Sequence, residues 1–192
     1  MKSKRRAVVM TSFLVTALLA VTIAVTAVSM RGERGKGPFV DPNVPPVGTA
    51  VVFGLPLAEY TSMLKNASFT ELQYNATMKR WESHKMVDLE APLGASVLAT
   101  YAGRVTSIRD NTLYGRQVTI EHANGLKTVY SNLSKTVADG ISEGVTVAKG
   151  QKVGTVGQTS NIEFIDTPHL RIEVYSNNKR VDPNDYIDFP IK

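Results

Sequence analysis

The chain has 192 residues and contains no cysteine, which excludes disulfide bonds and thiolate zinc sites. It has only three histidines, so few side chains qualify as imidazole metal ligands, and it has one tryptophan. The sequence shows no repeat of about 20–50 residues and no coiled-coil heptads. The lack of cysteine fits an extracytoplasmic bacterial protein.

Charged residues are missing from positions 7–30, a run of 24 residues that follows four basic ones. About 20 apolar residues span a bilayer as a helix, whereas the apolar core of a cleavable signal peptide has about 7–15. We therefore predict an uncleaved transmembrane helix over 7–30, with residues 1–6 in the cytoplasm and the rest of the chain outside. The triplet at 27–29, Ala-Val-Ser, keeps a cleavable signal peptide as the alternative.

Acidic residues are absent from this N-terminal region, and this explains most of the net charge of +5. Residues 31–192 carry 18 of the 22 basic residues and all 17 acidic ones, so they are nearly neutral. The sequence therefore has no electrostatic footprint for nucleic acid.

Three regions follow the predicted membrane helix. Residues 31–48 are rich in glycine and proline and read as a linker. Residues 49–83 are predicted to be an N-terminal extension of the folded domain, which itself covers 84–192. Within the extension we expect one short helix over 55–65. The stretch LQYNATMKR predicts two extended segments around a turn at Asn75.

From residue 91 onwards the pattern indicates a mainly β protein. Short segments rich in Val, Ile, Thr and Tyr alternate with Gly, Asn or Asp, as in antiparallel sheets and sandwiches. The segments are SVLATY, GRVTSIR, RQVTIEH, LKTVYSN, QKVGTV and HLRIEVY. In the last of them, His169, Arg171 and Glu173 share one face of a strand, and the apolar residues share the other.

The histidines include one pattern typical of metal ligands, because His84 precedes Asp88 by four residues and His169 lies much later on a strand. Such spacing also arises by chance on protein surfaces. We interpret His122 as structural. We expect Trp81 to anchor the segment before HKMVD rather than to bind sugar. Glu90 and Glu173 also lie near this region.

Several motifs in one order resemble the peptidoglycan metallopeptidase domains of the LytM and lysostaphin type. They are HKMVDLEAPLGASVLATYAGRV, YGRQVTIEHANGLKTVYSNL, VAKGQKVGTVGQT and HLRIEV. The resemblance implies an antiparallel LytM-like domain with a duplicated hybrid motif. It places the family's zinc ligands on His84, Asp88 and Arg171, and its catalytic histidines on Asn132 and His169.

Two of these five positions are changed. Arginine has only hydrogen-bond donors and stays protonated, so Arg171 cannot ligate zinc. Asn132 cannot exchange a proton near neutral pH. We therefore predict a pseudopeptidase without zinc or another cofactor, in which all five positions are vestigial. We expect Arg171 to pair with Asp88 in place of the metal; the alternative is that Arg171 reaches solvent.

Within this family, the anchor, the short linker and the degenerate site resemble the stage II sporulation protein Q group of endospore-forming Firmicutes. The resemblance implies a scaffold or channel component between forespore and mother cell during engulfment. Its partner would be a membrane protein like stage III sporulation protein AH, in a ring-forming hetero-oligomer. The alternatives are a degenerate LytM-type activator of a cell-wall amidase and a weak zinc endopeptidase of peptidoglycan.

Overall fold

The computed structural model describes residues 52–190 of the chain. The predicted cytoplasmic tail, the membrane helix over 7–30 and the linker over 31–48 therefore lie outside the described residues. Across 52–190 the chain forms no helix with the length and apolar character needed to cross a bilayer.

Short strands make up most of the regular structure in this part of the chain. They are β1 (Ser62–Lys65), β2 (Leu72–Asn75), β3 (Arg80–Ser83), β4 (Val87–Glu90), β5 (Ser96–Leu98), β6 (Gly103–Asn111), β7 (Gly115–Glu121), β8 (Leu126–Leu133), β9 (Thr146–Val147), β10 (Lys152–Thr155), β11 (His169–Ser176) and β12 (Lys179–Val181). Single 3-10 turns cover Ala123–Gly125 and Pro183–Asp185. The segments expected to be strands from residue 91 onwards are confirmed.

The main sheet contains eight strands in the order β1-β4-β11-β8-β7-β6-β9, with β12 paired to β11. Two further antiparallel pairs, β5–β10 and β2–β3, lie outside this sheet. The neighbouring strands of the main sheet pair antiparallel throughout. The predicted mainly β, antiparallel fold is therefore confirmed.

The hydrophobic core lies against the central strands β7, β8 and β11. Alternate residues of β11 are fully buried and apolar: Leu170, Ile172 and Val174. Burying an aliphatic side chain of this size contributes about 1.5–3 kcal/mol. The largest fully buried side chain, Tyr130 on β8, satisfies its hydroxyl by accepting from the backbone N–H of Thr100 at 2.8 Å. The apolar face thus fixes the orientation of β11, whose other face is polar.

The helix expected over 55–65 is wrong. Leu57 instead bridges to Val97, and the segment ends in β1, which pairs antiparallel with β4. Pairing with a buried strand offers more backbone hydrogen bonds and burial than an isolated helical turn, and this overrides the local preference. The expected extended segments around Asn75 are confirmed as the hairpin β2–β3.

His122 is a structural residue, as the sequence suggested. It is 1% exposed, with Nδ1 3.0 Å from the carbonyl of Ala102 and Nε2 2.8 Å from Thr128 Oγ1. Burial lowers the pKa of His122 to about 4, although the contact with Ala102 opposes this shift. The ring is therefore neutral in the folded state at neutral pH.

The depressed pKa of His122 predicts a specific loss of stability in acid. The ring has a pKa of about 6.5 in the unfolded state. Between about pH 6.5 and pH 4 the unfolded state is therefore protonated at this ring and the folded state is not. The free energy of unfolding should therefore fall by about 2 kcal/mol between pH 7.5 and pH 5 from this group alone. His122→Gln removes the titrating ring, and its unfolding free energy should change less over this range. Urea melts at several pH values measure the two slopes, and equal slopes contradict the assignment.

Candidate functional site

The pairing of β4 with β11 brings the predicted zinc positions together. In this antiparallel pair Asp88 lies opposite Arg171, and Glu90 lies opposite His169. His84 precedes β4 and places its Nε2 3.2 Å from Asp88 Oδ2. His84, Asp88 and Arg171 therefore meet on the polar face of the sheet, and all three are buried.

Arg171 and Asp88 form a two-pronged ion pair. Nε of Arg171 donates to Oδ1 of Asp88 at 3.0 Å, and Nη2 donates to Oδ2 at 3.1 Å. The guanidinium also lies 5.2 Å from the ring centre of Tyr114. Arg171 is 3% exposed and Asp88 is fully buried. The expected pairing is confirmed, and the alternative in which Arg171 reaches solvent is wrong.

A second carboxylate, Glu163, completes the surroundings of Arg171. Its Oε2 contacts Nη2 of Arg171 and lies 3.3 Å from Nε2 of His169. Its Oε1 accepts from Nζ of Lys65 at 2.9 Å, and Lys65 also donates to Asp166 at 2.6 Å. Glu163 therefore connects β1, β11 and the loop before β11.

The charges in this cluster stabilise one another. Burial by itself raises the pKa of Asp88, but the Arg171 charge and its hydrogen bonds outweigh burial and hold the pKa well below its usual range. Burial opposes ionisation of Glu163 too, yet His169, Arg171 and Lys65 lower its pKa. Burial disfavours a charged Arg171, but Asp88 and Glu163 raise its pKa. Both carboxylates are therefore ionised at neutral pH, and Arg171 is charged.

His169 is held in place by two acceptors. Its Nδ1 lies 2.7 Å from the carbonyl of Thr167, and its Nε2 faces Glu163. Burial lowers the pKa of His169, but the hydrogen bond to Glu163 and the charge of Asp88 outweigh it and raise the pKa. A ring between a carbonyl and a carboxylate donates to both only when it is protonated.

Nε2 of His84 is buried and lies 3.2 Å from Oδ2 of Asp88. It nevertheless makes no hydrogen bond of suitable geometry with any group in residues 52–190. His84, Asp88 and Glu163 also offer ligand atoms that lie within 4.8 Å of one another. A histidine and two carboxylates are suitable zinc ligands. The donor set alone would therefore accept a zinc ion.

The cations at the site do not fit this ion. Nη2 of Arg171 lies between the carboxylates of Asp88 and Glu163, which are two of the three potential ligands. Arg171 and Lys65 already compensate these two carboxylates. A dication in the cluster would add positive charge next to a guanidinium that cannot lose its proton. In this arrangement the residues therefore do not fit zinc.

Asn132, at a predicted catalytic position, serves as a hydrogen-bond bracket. Its Nδ2 donates to the carbonyl of His169 at 2.9 Å. Its Oδ1 accepts from the backbone N–H groups of Thr159 and Ser160 at 2.8 and 2.9 Å. The residue has a positive φ of 61°, which asparagine tolerates better than most side chains. Asn132 thus fixes the start of β11 to the loop that carries Glu163.

The other acidic residues near the site have separate partners. Glu90 accepts from the hydroxyl of Ser62 at 2.7 Å. Glu173 accepts from Arg180 and from the hydroxyl of Tyr175, each at 2.7 Å. Sequence reasoning named these two residues and missed Glu163, which lies in the irregular segment between β10 and β11. The sequence offered just the position of Glu163 six residues before His169. The residues between them show no helix or strand pattern that would place the two side chains together.

The sequence suggested that Trp81 anchors the segment before HKMVD, and this expectation is wrong. It is 66% exposed, and its ring packs against that of Tyr74, which is itself 48% exposed. The two residues face each other across the hairpin β2–β3. Their inner neighbours on the hairpin are polar, so the aromatic rings are turned outwards.

Curated relatives of this chain include enzymes of the cell wall and a sporulation protein. The peptidoglycan DD-endopeptidase ShyB of Vibrio cholerae is 34% identical over 99 residues, which are 52% of this chain and 22% of that protein. Stage II sporulation protein Q of Bacillus subtilis is 28% identical over 120 residues, which are 62% of this chain and 40% of that protein. The chain thus spans less than half the length of each of these two proteins.

Solved structures show the same fold. A zinc-containing peptidase from Vibrio cholerae superposes with a TM-score of 0.60 at 28% identity, over 73% of this chain and 41% of that one. A chain of the SpoIIQ–SpoIIIAH pore-forming complex superposes with a TM-score of 0.59 at 20% identity, over 73% of this chain and 93% of that one. At 20% identity this second likeness concerns the fold alone.

A family model covers the strands that build the site. The model of peptidase family M23 matches residues 82–183, which are more than half of the chain. The match includes the four positions His84, Asp88, Asn132 and His169, together with Arg171. The chain therefore belongs to peptidase family M23.

Proposed function

We propose that this protein is a non-hydrolytic member of its family that acts by binding another protein. The observation that carries the proposal is the position of the Arg171 guanidinium between Asp88 and Glu163. Hydrolysis by this family requires a metal with an open position for water. A permanent cation on the ligand carboxylates takes the place of that metal.

Asn132 supports the same proposal. Its amide makes three hydrogen bonds within the domain and cannot transfer a proton at neutral pH. Of the two catalytic positions, only His169 keeps an imidazole, and that ring is held by Glu163 and the carbonyl of Thr167. No pair of groups at the site is therefore free to activate water and protonate a leaving group.

The proposed role is a scaffold of sporulation that faces a second membrane. The relationship to stage II sporulation protein Q and the fold of the SpoIIQ–SpoIIIAH complex support this role. In this proposal residues 7–30 anchor the chain in the forespore membrane, and the domain binds a partner like stage III sporulation protein AH in the intermembrane space. Ring formation and a contribution to a channel belong to the same proposal.

A zinc endopeptidase is the second candidate. The three ligand atoms of His84, Asp88 and Glu163 within 4.8 Å favour it, as does the relationship to ShyB. It requires Arg171 to leave both carboxylates. Metal content and the energetics of Arg171 therefore separate the two candidates.

We expect the purified full chain to hold no stoichiometric zinc after dialysis and to leave peptidoglycan uncleaved. Arg171→His removes the permanent charge and supplies an imidazole beside His84 and Asp88. This variant should bind about one zinc per chain. It should still not hydrolyse peptidoglycan, because Asn132 lacks a transferable proton. Elemental analysis together with a peptidoglycan-release assay measures both properties, and about one zinc per wild-type chain contradicts the proposal.

The ion pair should also show strong energetic coupling. Asp88→Ala leaves the buried guanidinium with Glu163 as its one remaining carboxylate partner at the site and should cost about 3–5 kcal/mol of unfolding free energy. Arg171→Ala should cost at least as much, because it removes a partner from both Asp88 and Glu163. The double change should cost less than the sum of the single changes, since neither charge is then left unpaired. Urea melts of the full chain measure this double-mutant cycle.

The exposed pair of Arg80 and Glu82 provides the matched control. Its atoms are 2.9 Å apart, but Arg80 is largely in solvent. The same cycle on this pair should give a coupling below about 1 kcal/mol. Strict additivity of the changes at Asp88 and Arg171 would show that they do not interact, and Arg171 could not then substitute for the metal.

A further inference from the structure

The hairpin β2–β3 has its apolar side turned towards solvent. Leu72, Tyr74 and Trp81 lie on its outer side and are 59%, 48% and 66% exposed. The register places Tyr74 directly opposite Trp81. A hairpin on a soluble domain normally turns its apolar side inwards, so this arrangement is inverted. We call these three residues the ribbon face.

Polar groups occupy the inner side of the same hairpin. Asn75 is 3% exposed, donates to Glu82 at 2.8 Å and accepts from the backbone of Met78 at 2.9 Å. Gln73 donates to the carbonyl of Asn66 at 2.7 Å. The bonds of Asn75 lie within the hairpin and its turn, whereas the bond from Gln73 reaches Asn66 outside it, and the ribbon face is left uncovered.

The hairpin is a separate two-stranded sheet. A pair of strands without a third strand or a covered apolar side is only marginally stable in water. Here β2 and β3 pair only with each other among the described strands. The hairpin also lies almost wholly outside residues 82–183, where the family model matches. Its apolar side therefore lacks a covering layer within residues 52–190.

The turn of the hairpin lies next to the loop that carries Glu163. The backbone N–H of Ile165 approaches the hydroxyl of Thr77, in the turn of the hairpin, at 3.4 Å. Phe164 and Ile165 are both 63% exposed and directly follow Glu163. The hairpin therefore adjoins, at its turn, the loop that supplies the second carboxylate to Arg171.

We infer that the ribbon face is the docking surface for the protein partner, an inference that rests on the proposed scaffold function. Exposed tryptophan and tyrosine at the centre of an apolar strip are the residues that dominate binding energy at protein interfaces. The partner presents an apolar strip of its own, which supplies the layer that the hairpin lacks.

The charges around the ribbon face define the ends of that strip. Arg80 and Glu82 neutralise each other at 2.9 Å. Glu71, next to β2, and Lys79, in the turn, have no ion-pair partner within the described part of the chain. The partner strip accordingly carries a carboxylate opposite Lys79 and a cation opposite Glu71. Because both signs are present, the pattern differs from the basic face with which a helix binds an anionic membrane.

The only tryptophan of the chain reports directly on this surface. The probe is the extracytoplasmic part of stage III sporulation protein AH from the same organism, added to the full chain. Binding should shift the emission of Trp81 to shorter wavelength as water leaves the indole. Tyr74→Ser keeps the reporter and should weaken binding at least about tenfold. Leu93→Ser is the matched control. Leu93 is 58% exposed like the ribbon face, but it follows the C-terminal end of β4, whereas the hairpin precedes the N-terminal end of β4.

Sedimentation velocity detects the complex independently of fluorescence and separates the outcomes. A complex that forms with unchanged Trp81 emission and normal affinity for Tyr74→Ser overturns the ribbon face and leaves the proposed function standing. No complex with the wild-type chain overturns both. An emission shift with rising concentration of the chain alone, or with vesicles of phosphatidylglycerol, assigns the surface to a second copy or to a membrane, and overturns the inference.

Discussion

The buried charge of Arg171 is the constraint on which the site depends. A guanidinium removed from water is tolerated only where carboxylates and hydrogen bonds replace its hydration. Asp88 supplies two acceptors from the neighbouring strand, and Glu163 supplies another from a loop. Glu163 also pairs with Lys65 through Oε1 and with His169 through Oε2. One substitution of a ligand by a cation therefore involves three separate segments of the chain.

In the proposed function, this network explains how the domain keeps the shape of the peptidase fold without hydrolysing peptidoglycan. The sheet register that places Asp88 beside β11 is the one that would bring metal ligands together. With Arg171 in that position, the same geometry forms a buried ion-pair network in the cleft, in which Arg171 contacts the carboxylates of both Asp88 and Glu163. Asn132 adds hydrogen bonds where a proton carrier would stand. In our proposal, the protein acts through its outer surfaces, among them the ribbon face.

Much of this structure could be predicted from the sequence, and the errors share physical causes. Alternation along 168–174 and the order of the motifs predicted β11 and the pairing of Arg171 with Asp88. Glu163 could not be found, because its place depends on Asn132 and on Lys65 of β1, a segment expected to be helical. Trp81 was misjudged because burial of apolar residues is the usual rule, whereas in this hairpin Asn75 is buried and Trp81 faces solvent. Tertiary contacts decided each of these positions.

The most direct test of the account is a crystal structure of the protein grown or soaked with zinc, with anomalous scattering recorded at the zinc edge. We expect the guanidinium of Arg171 to lie between Asp88 and Glu163, with no anomalous peak among the three candidate ligands. A strong peak bound to His84, Asp88 and Glu163, with Arg171 displaced, would contradict the claim that this arginine takes the place of the metal.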